Sequence, residues 1–86
     1  MSSSQLDLLR LHRTEVRELL AGFGFNDLRT IPRQPEAVLA CPGADVTLGD
    51  LLNAEEALSD FLLTDLEIIS TRSELGRELT PGSVAL

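Results

Sequence analysis

Between Thr47 and Ile69 the chain reads TLGDLLNAEEALSDFLLTDLEII, and this stretch constrains the fold more than any other. At about 100° per residue, Leu51, Ala54, Leu58, Phe61, Leu62, Leu66 and Ile69 fall on one arc. Glu56, Asp60 and Glu67 fall on the opposite one. That period predicts an amphipathic helix with its apolar arc laid on a neighbour and its acids in water. The segment contains no Lys, Arg or His, so the wet face is uniformly acidic. Thr47 stands where an N-cap belongs, before Leu48. Asn53 with Glu56, and Thr64 with Glu67, also have cap spacing. Two readings therefore stay open: one helix from Leu48 to about Gly76, or a break near Asn53 or Thr64. The periodicity favours continuity from Ala54 to Ile69. Glu55 and Asp65 spoil the pattern, because they fall at the margin of the apolar arc. There they reach water, or meet Arg side chains of the first helix or of a second copy.

A second helical segment precedes this one. Ser4 to Ala21 reads as a helix with Ser3 or Ser4 as cap and Asp7 in the first turn, where the helix dipole favours an acid. Leu8, Leu9, His12, Val16, Leu19, Leu20 and Phe23 share its apolar arc, and Arg10, Arg13 and Arg17 form a stripe beside it. Gly22 and Gly24 supply the stop. The middle, DLRTIPRQPEAVLACPGAD, is irregular because Pro32, Pro35 and Pro42 each disfavour helix at the preceding residue. Pro35 suits the first position of a short helix, Glu36 to Cys41; a short buried strand through Val38 and Leu39 is the alternative. Gly76 and the Pro81–Gly82 pair close the helical region, and SVAL is a tail.

The resulting expectation is an all-α fold. It has two main amphipathic helices and a Pro-rich connector carrying a short helix, in a single small domain over residues 1–86, with 1–3 and 80–86 flexible. A core of 86 residues is thin, on the order of 3–5 kcal/mol without a staple. Cys41 is the single cysteine and His12 the single histidine, so an internal disulfide and a Cys/His zinc site are both excluded. Association is the remaining staple.

Charge speaks to partners. In Met1–Gly43 the acids and bases balance; Ala44–Leu86 holds only Arg72 and Arg77 against its acids and carries the entire net charge of −7. That argues against direct binding to nucleic acid, which needs a basic footprint, and permits binding to a basic protein surface. No long uncharged apolar run predicts a membrane span. The start MSSSQLDLLRLHR has no basic region leading into an apolar core, so no signal peptide is expected. A lone thiol fits a reducing compartment, and a cytoplasmic protein is expected.

The search for chemistry excludes more than it finds. GFG lacks the Lys and Ser/Thr of a phosphate loop. Cys41 in LACPG has no adjacent cation or helix N-terminus to activate it. His12 lies on an apolar arc, where packing explains it. No catalytic residue, cofactor or metal site is expected. The function predicted is a non-enzymatic, acidic protein-interaction module, an adaptor, chaperone-like protein or accessory subunit that self-associates or binds a larger chain. Two alternatives are a small subunit lending residues to a shared active site and an acidic inhibitor or nucleic-acid mimic binding a basic protein surface. The predicted interface comprises Leu9, Arg13, Val16, Arg17, Leu20, Leu58, Asp60, Phe61, Leu62, Leu66 and Ile69.

Overall fold

The computed structural model describes residues 5–86; the proposed caps Ser3 and Ser4 lie outside the described residues. The fold is α+β, not all-α. Helices α1 (Gln5–Leu11) and α2 (Arg13–Gly22) lead into strands β1 (Phe25–Thr30) and β2 (Ala37–Pro42). Helix α3 (Leu48–Leu62) then crosses to β3 (Glu67–Ser70). Helix α4 (Glu74–Leu79), a 3-10 turn (Thr80–Gly82) and β4 (Val84–Ala85) complete the chain. The four strands form one mixed sheet in the order β3-β2-β1-β4. β1 is antiparallel to β2 and β4, while β2 and β3 are parallel, Ala37 opposite Glu67 and Leu39 opposite Ile69. A parallel pair needs a crossover, and α3 supplies it.

The irregular middle is where the all-α expectation fails. The segment expected to be a short helix, Glu36 to Cys41, is instead β2, with Ala37, Val38, Leu39 and Ala40 all buried. A strand covered on both faces is continuously apolar and shows no alternation to read. Its side chains nonetheless alternate in space: Val38 and Ala40 enter one core, Ala37 and Leu39 the other. β1 hides its period for a different reason. Its register with β2 slips between Asn26 and Arg29, and Asp27 adopts a left-handed φ of 50°.

Helix α3 begins as expected. Thr47 Oγ1 accepts from the Asp50 N–H at 3.1 Å, and Asp50 Oδ2 accepts from the Thr47 N–H at 3.0 Å, a complete capping box. The helix stops at Leu62, because Leu63 takes a left-handed φ of 54°. Nothing in the residue type announces that stop; glycine is the usual cap there. Ser59 then ties the loop back: its Oγ accepts from the Leu66 N–H at 3.0 Å and donates to the Leu66 carbonyl at 3.2 Å. The expected continuity to Ile69 is thus replaced by a strand, and of the two readings the break near Thr64 is the one observed.

The main core lies between one sheet face and α1–α3. Leu9, Val16 and Leu20 from the first two helices meet Leu28, Val38, Ala40 and Ile68 of the sheet and Ala54, Leu58 and Leu62 of α3. The first helix, expected to be continuous, breaks at His12, whose ring meets the Phe61 ring edge-on with centroids 5.7 Å apart. On the other sheet face a small cluster of Ile31, Ala37, Leu39 and Ile69 is covered by Leu79 of α4. Gly76, expected to end a long helix, sits inside α4 where it crosses the end of β3, and it is buried. Residues 80–86, expected to be a flexible tail, form the 3-10 turn and β4; Leu86 is buried and its N–H donates to the Leu28 carbonyl at 3.0 Å.

Candidate functional site

Two of the arginines are spent on structure. Arg29 reaches across to the tail, its Nε donating to Ser83 Oγ at 2.6 Å and its Nη2 to the Ser83 carbonyl at 3.3 Å. Arg17 donates to the Leu86 carbonyl. Both hold β4 onto the edge of the sheet. Arg33 differs. It sits in the β1–β2 loop between Pro32 and Pro35, exposed, and among the described residues its guanidinium has no hydrogen-bond partner.

That loop faces α4 and the 3-10 turn across a cleft of about 540 Å³ lined by Ile31, Pro32, Arg33, Gln34, Glu78, Leu79 and Gly82. The cleft lies on the sheet face away from α1–α3. Its floor is apolar: Ile31 and Leu79 belong to the small second cluster. Its rim is polar and of both signs, with Arg33, Gln34 and Glu78. The loop is held by a turn in which the Gln34 N–H donates to the Ile31 carbonyl at 2.8 Å, and by the Ala37 N–H donating to the Gln34 carbonyl at 3.0 Å. An apolar floor with a few convergent polar groups is the usual form of a small-molecule site, and the volume is in the usual range.

A second grouping is acidic. Glu36, Glu55, Asp65, Leu66 and Glu67 line a shallow cleft of about 320 Å³ where β2 and β3 begin. Glu55 is already committed: its Oε2 accepts from the Ile68 N–H at 3.0 Å. This residue lies at the margin of the apolar arc, partly exposed as its place on the helix suggested, and it meets a backbone N–H instead of an arginine. It satisfies an outward-facing N–H of the edge strand. Among the described residues no group of three or more His, Cys, Asp or Glu side chains is arranged to hold a metal ion.

The sequence-predicted interface residues scatter. Leu9, Val16, Leu20, Leu58, Leu62 and Leu66 are buried in the main core, and Ile69 in the second cluster, so the chain itself consumes those seven. Arg13 and Asp60 are exposed, Arg17 is bound to the tail, and Phe61 leans on His12. None of them lines the Ile31–Gly82 cleft. Sequence reasoning missed Arg33 and Gln34; the one signal was an Arg-Gln pair between two prolines. Cys41 is half-buried at the end of β2.

No protein-family model and no curated protein matches the sequence. A solved structure described as "Structure of putative minimal nucleotidyltransferase" does match. The likeness covers 100% of both chains with a TM-score of 0.79 at 23% identity. At that identity the likeness shows a shared fold alone: the sheet and helices are arranged as in that structure. The expectation of a non-enzymatic, helical adaptor is corrected by these findings: the sheet rules out a helical module, and the fold is shared with a structure described as a "putative minimal nucleotidyltransferase". None of the chain's helices is long and apolar enough to cross a membrane, among the described residues.

Nucleotidyl transfer commonly uses divalent cations that bridge the triphosphate and are held by converging carboxylates. The acids here do not fit that requirement. Glu67 shares the second sheet face with Ile69 by strand alternation, but its neighbours on β2 on that face, Ala37 and Leu39, are apolar and packed under Leu79.

Proposed function

We propose that this chain is a nucleotide-binding domain of the nucleotidyltransferase type, with the nucleotide seated in the Ile31–Gly82 cleft. The observation that carries the reading is the cleft itself, on a fold shared over its full length with a structure described as a "putative minimal nucleotidyltransferase". Arg33 supplies a guanidinium with no competing partner, suited to a phosphate group. Ile31, Pro32 and Leu79 supply an apolar floor for the base. Gln34 and Glu78 supply acceptors and donors for ribose hydroxyls and base edges. Binding and orientation are the work of this chain's own residues. Among the described residues no cluster of carboxylates is arranged to hold a cation, so the reading is confined to binding and orientation of the nucleotide. The lone thiol of Cys41 supports a cytoplasmic setting.

The test is titration of the isotopically labelled protein with ATP, GTP, CTP and UTP. Amide shifts centred on Ile31, Arg33, Gln34 and Leu79 are expected with at least one of them. Arg33→Ala should weaken binding about tenfold, the effect of losing about 1.4 kcal/mol. No perturbation of these amides by any of the four nucleotides at millimolar concentration would overturn the reading.

A further inference from the structure

The first turn of α3 carries an apolar notch at the margin of the main core, against which its Val46 and Leu51 pack. Pro42, Val46, Thr47, Leu48, Leu51 and Ser70 line it, with a volume of about 210 Å³. Leu48 is 73% exposed and Leu52, one turn further on, is 54% exposed. Both stand off the stripe of Ala54, Leu58 and Leu62 that α3 buries. Two wet leucines beside an apolar notch form an anchor point of the kind that protein partners fill with one bulky side chain.

The surroundings of the notch select the partner. Asp45 in the preceding loop is exposed, as are Glu56 and Asp60 further along α3. No basic residue lies between Thr47 and Ile69. A second copy of this chain would bring its own net charge of −7 against the same sign. A basic segment would gain attraction at every one of these carboxylates.

We propose that the notch docks a basic segment of a different protein. A bulky apolar side chain of that segment sits between Pro42, Val46 and Leu51, packs against Leu48 and Leu52, and is flanked by Lys or Arg facing Asp45, Glu56 and Asp60. The apolar anchor supplies most of the affinity, and the charges steer encounter and orientation. The surface is independent of the nucleotide cleft, so either assignment can fail alone.

The experiment uses two synthetic amphipathic peptides of equal charge. In one a row of Leu is flanked by Arg; in the other Ser replaces that row. The Leu peptide should shift the amides of Val46, Leu48, Leu51 and Leu52. Leu48→Asp and Leu52→Arg should each weaken it at least tenfold by fluorescence anisotropy, with unchanged circular dichroism because both residues are exposed. The Ser peptide should bind far more weakly. Equal binding of the two peptides would overturn the proposal, as would shifts spread over the whole acidic surface or indifference to both substitutions. So would a dimer in light scattering that Leu52→Arg dissolves, which would assign the notch to a second copy.

Discussion

Gly76→Ala should destabilise the protein although it replaces a helical glycine. A Cβ at this position would stand 1.9 Å from the Ser70 carbonyl oxygen, 2.8 Å from its carbon and 3.0 Å from Ser73 Oγ. The nearest obstacle is backbone, so no side-chain rotation relieves it. The Ser70 carbonyl is also the acceptor that starts α4, taking the Ser73 hydroxyl at 2.7 Å and the Ser73 N–H at 3.1 Å. Overpacking of this kind costs about 1–3 kcal/mol, and each of the two hydrogen bonds disturbed contributes about 1 kcal/mol. The higher helix propensity of alanine returns about 1 kcal/mol. The net loss is about 2–4 kcal/mol, a large part of what a domain of this size holds. Gly22→Ala is the control. Gly22 ends α2 with nothing within 4 Å of a built Cβ, so the same change there should be neutral or stabilising by up to about 1 kcal/mol. Urea unfolding followed by circular dichroism reads both. If the two variants unfold at the same midpoint, the close crossing of α4 over β3 is wrong.

Three further substitutions probe the faces of α3. Glu55→Ala leaves the half-buried Ile68 N–H without its acceptor. It should cost about 1–3 kcal/mol in urea unfolding and speed hydrogen exchange at Ile68; exchange unchanged from wild type would show that the carboxylate does not cap that strand. Leu58→Asp, on the fully buried stripe of α3, should unfold the chain at a cost of several kcal/mol, whereas the exposed Glu56→Lys should leave the midpoint nearly unchanged; equal tolerance of the two would mean the faces of α3 are reversed.

The first three helices were legible in outline because they are amphipathic with ordinary signals, whereas α4 was not, since Gly76 was read as a stop and lies inside it. Leu9, Val16 and Leu20 mark the face of the first two, Thr47 starts α3, and Gly24, at φ 92°, ends the first helical unit. The strands were not, for reasons particular to each. β2 is apolar without alternation because both its faces are covered. β1 loses its period at the Asn26–Arg29 irregularity. β3 was absorbed into α3 by coincidence of spacing: Leu58, Leu62, Leu66 and Ile69 follow one another at helical intervals although a left-handed Leu63 separates the last two from the first two. The Ile31–Gly82 cleft was illegible for another reason. Ile31–Gln34 and Glu78–Gly82 are far apart in sequence and meet only because α4 folds back over the second sheet face. Of the acidic face assigned to the long helix, Glu56 and Asp60 do lie exposed on α3 while Glu67 belongs to β3, and most of the apolar residues assigned to a partner turn out to be the chain's own core.

The way β3 ends the sheet bears on how crowded a solution this chain tolerates. An open edge invites a strand from another molecule, the first step toward fibrous aggregation. Here the edge strand is four residues long, and the N–H of Ile68 is occupied from within by Glu55. Glu36, Asp65 and Glu67 surround the start of the same strand. A sister molecule approaching to pair at this edge would bring its own carboxylates against these and find one of the backbone donors already taken. The negative charge of the second half therefore serves as a guard against self-templating. Salt concentrated enough to screen it leaves only the short strand and its internal carboxylate to keep neighbouring molecules apart.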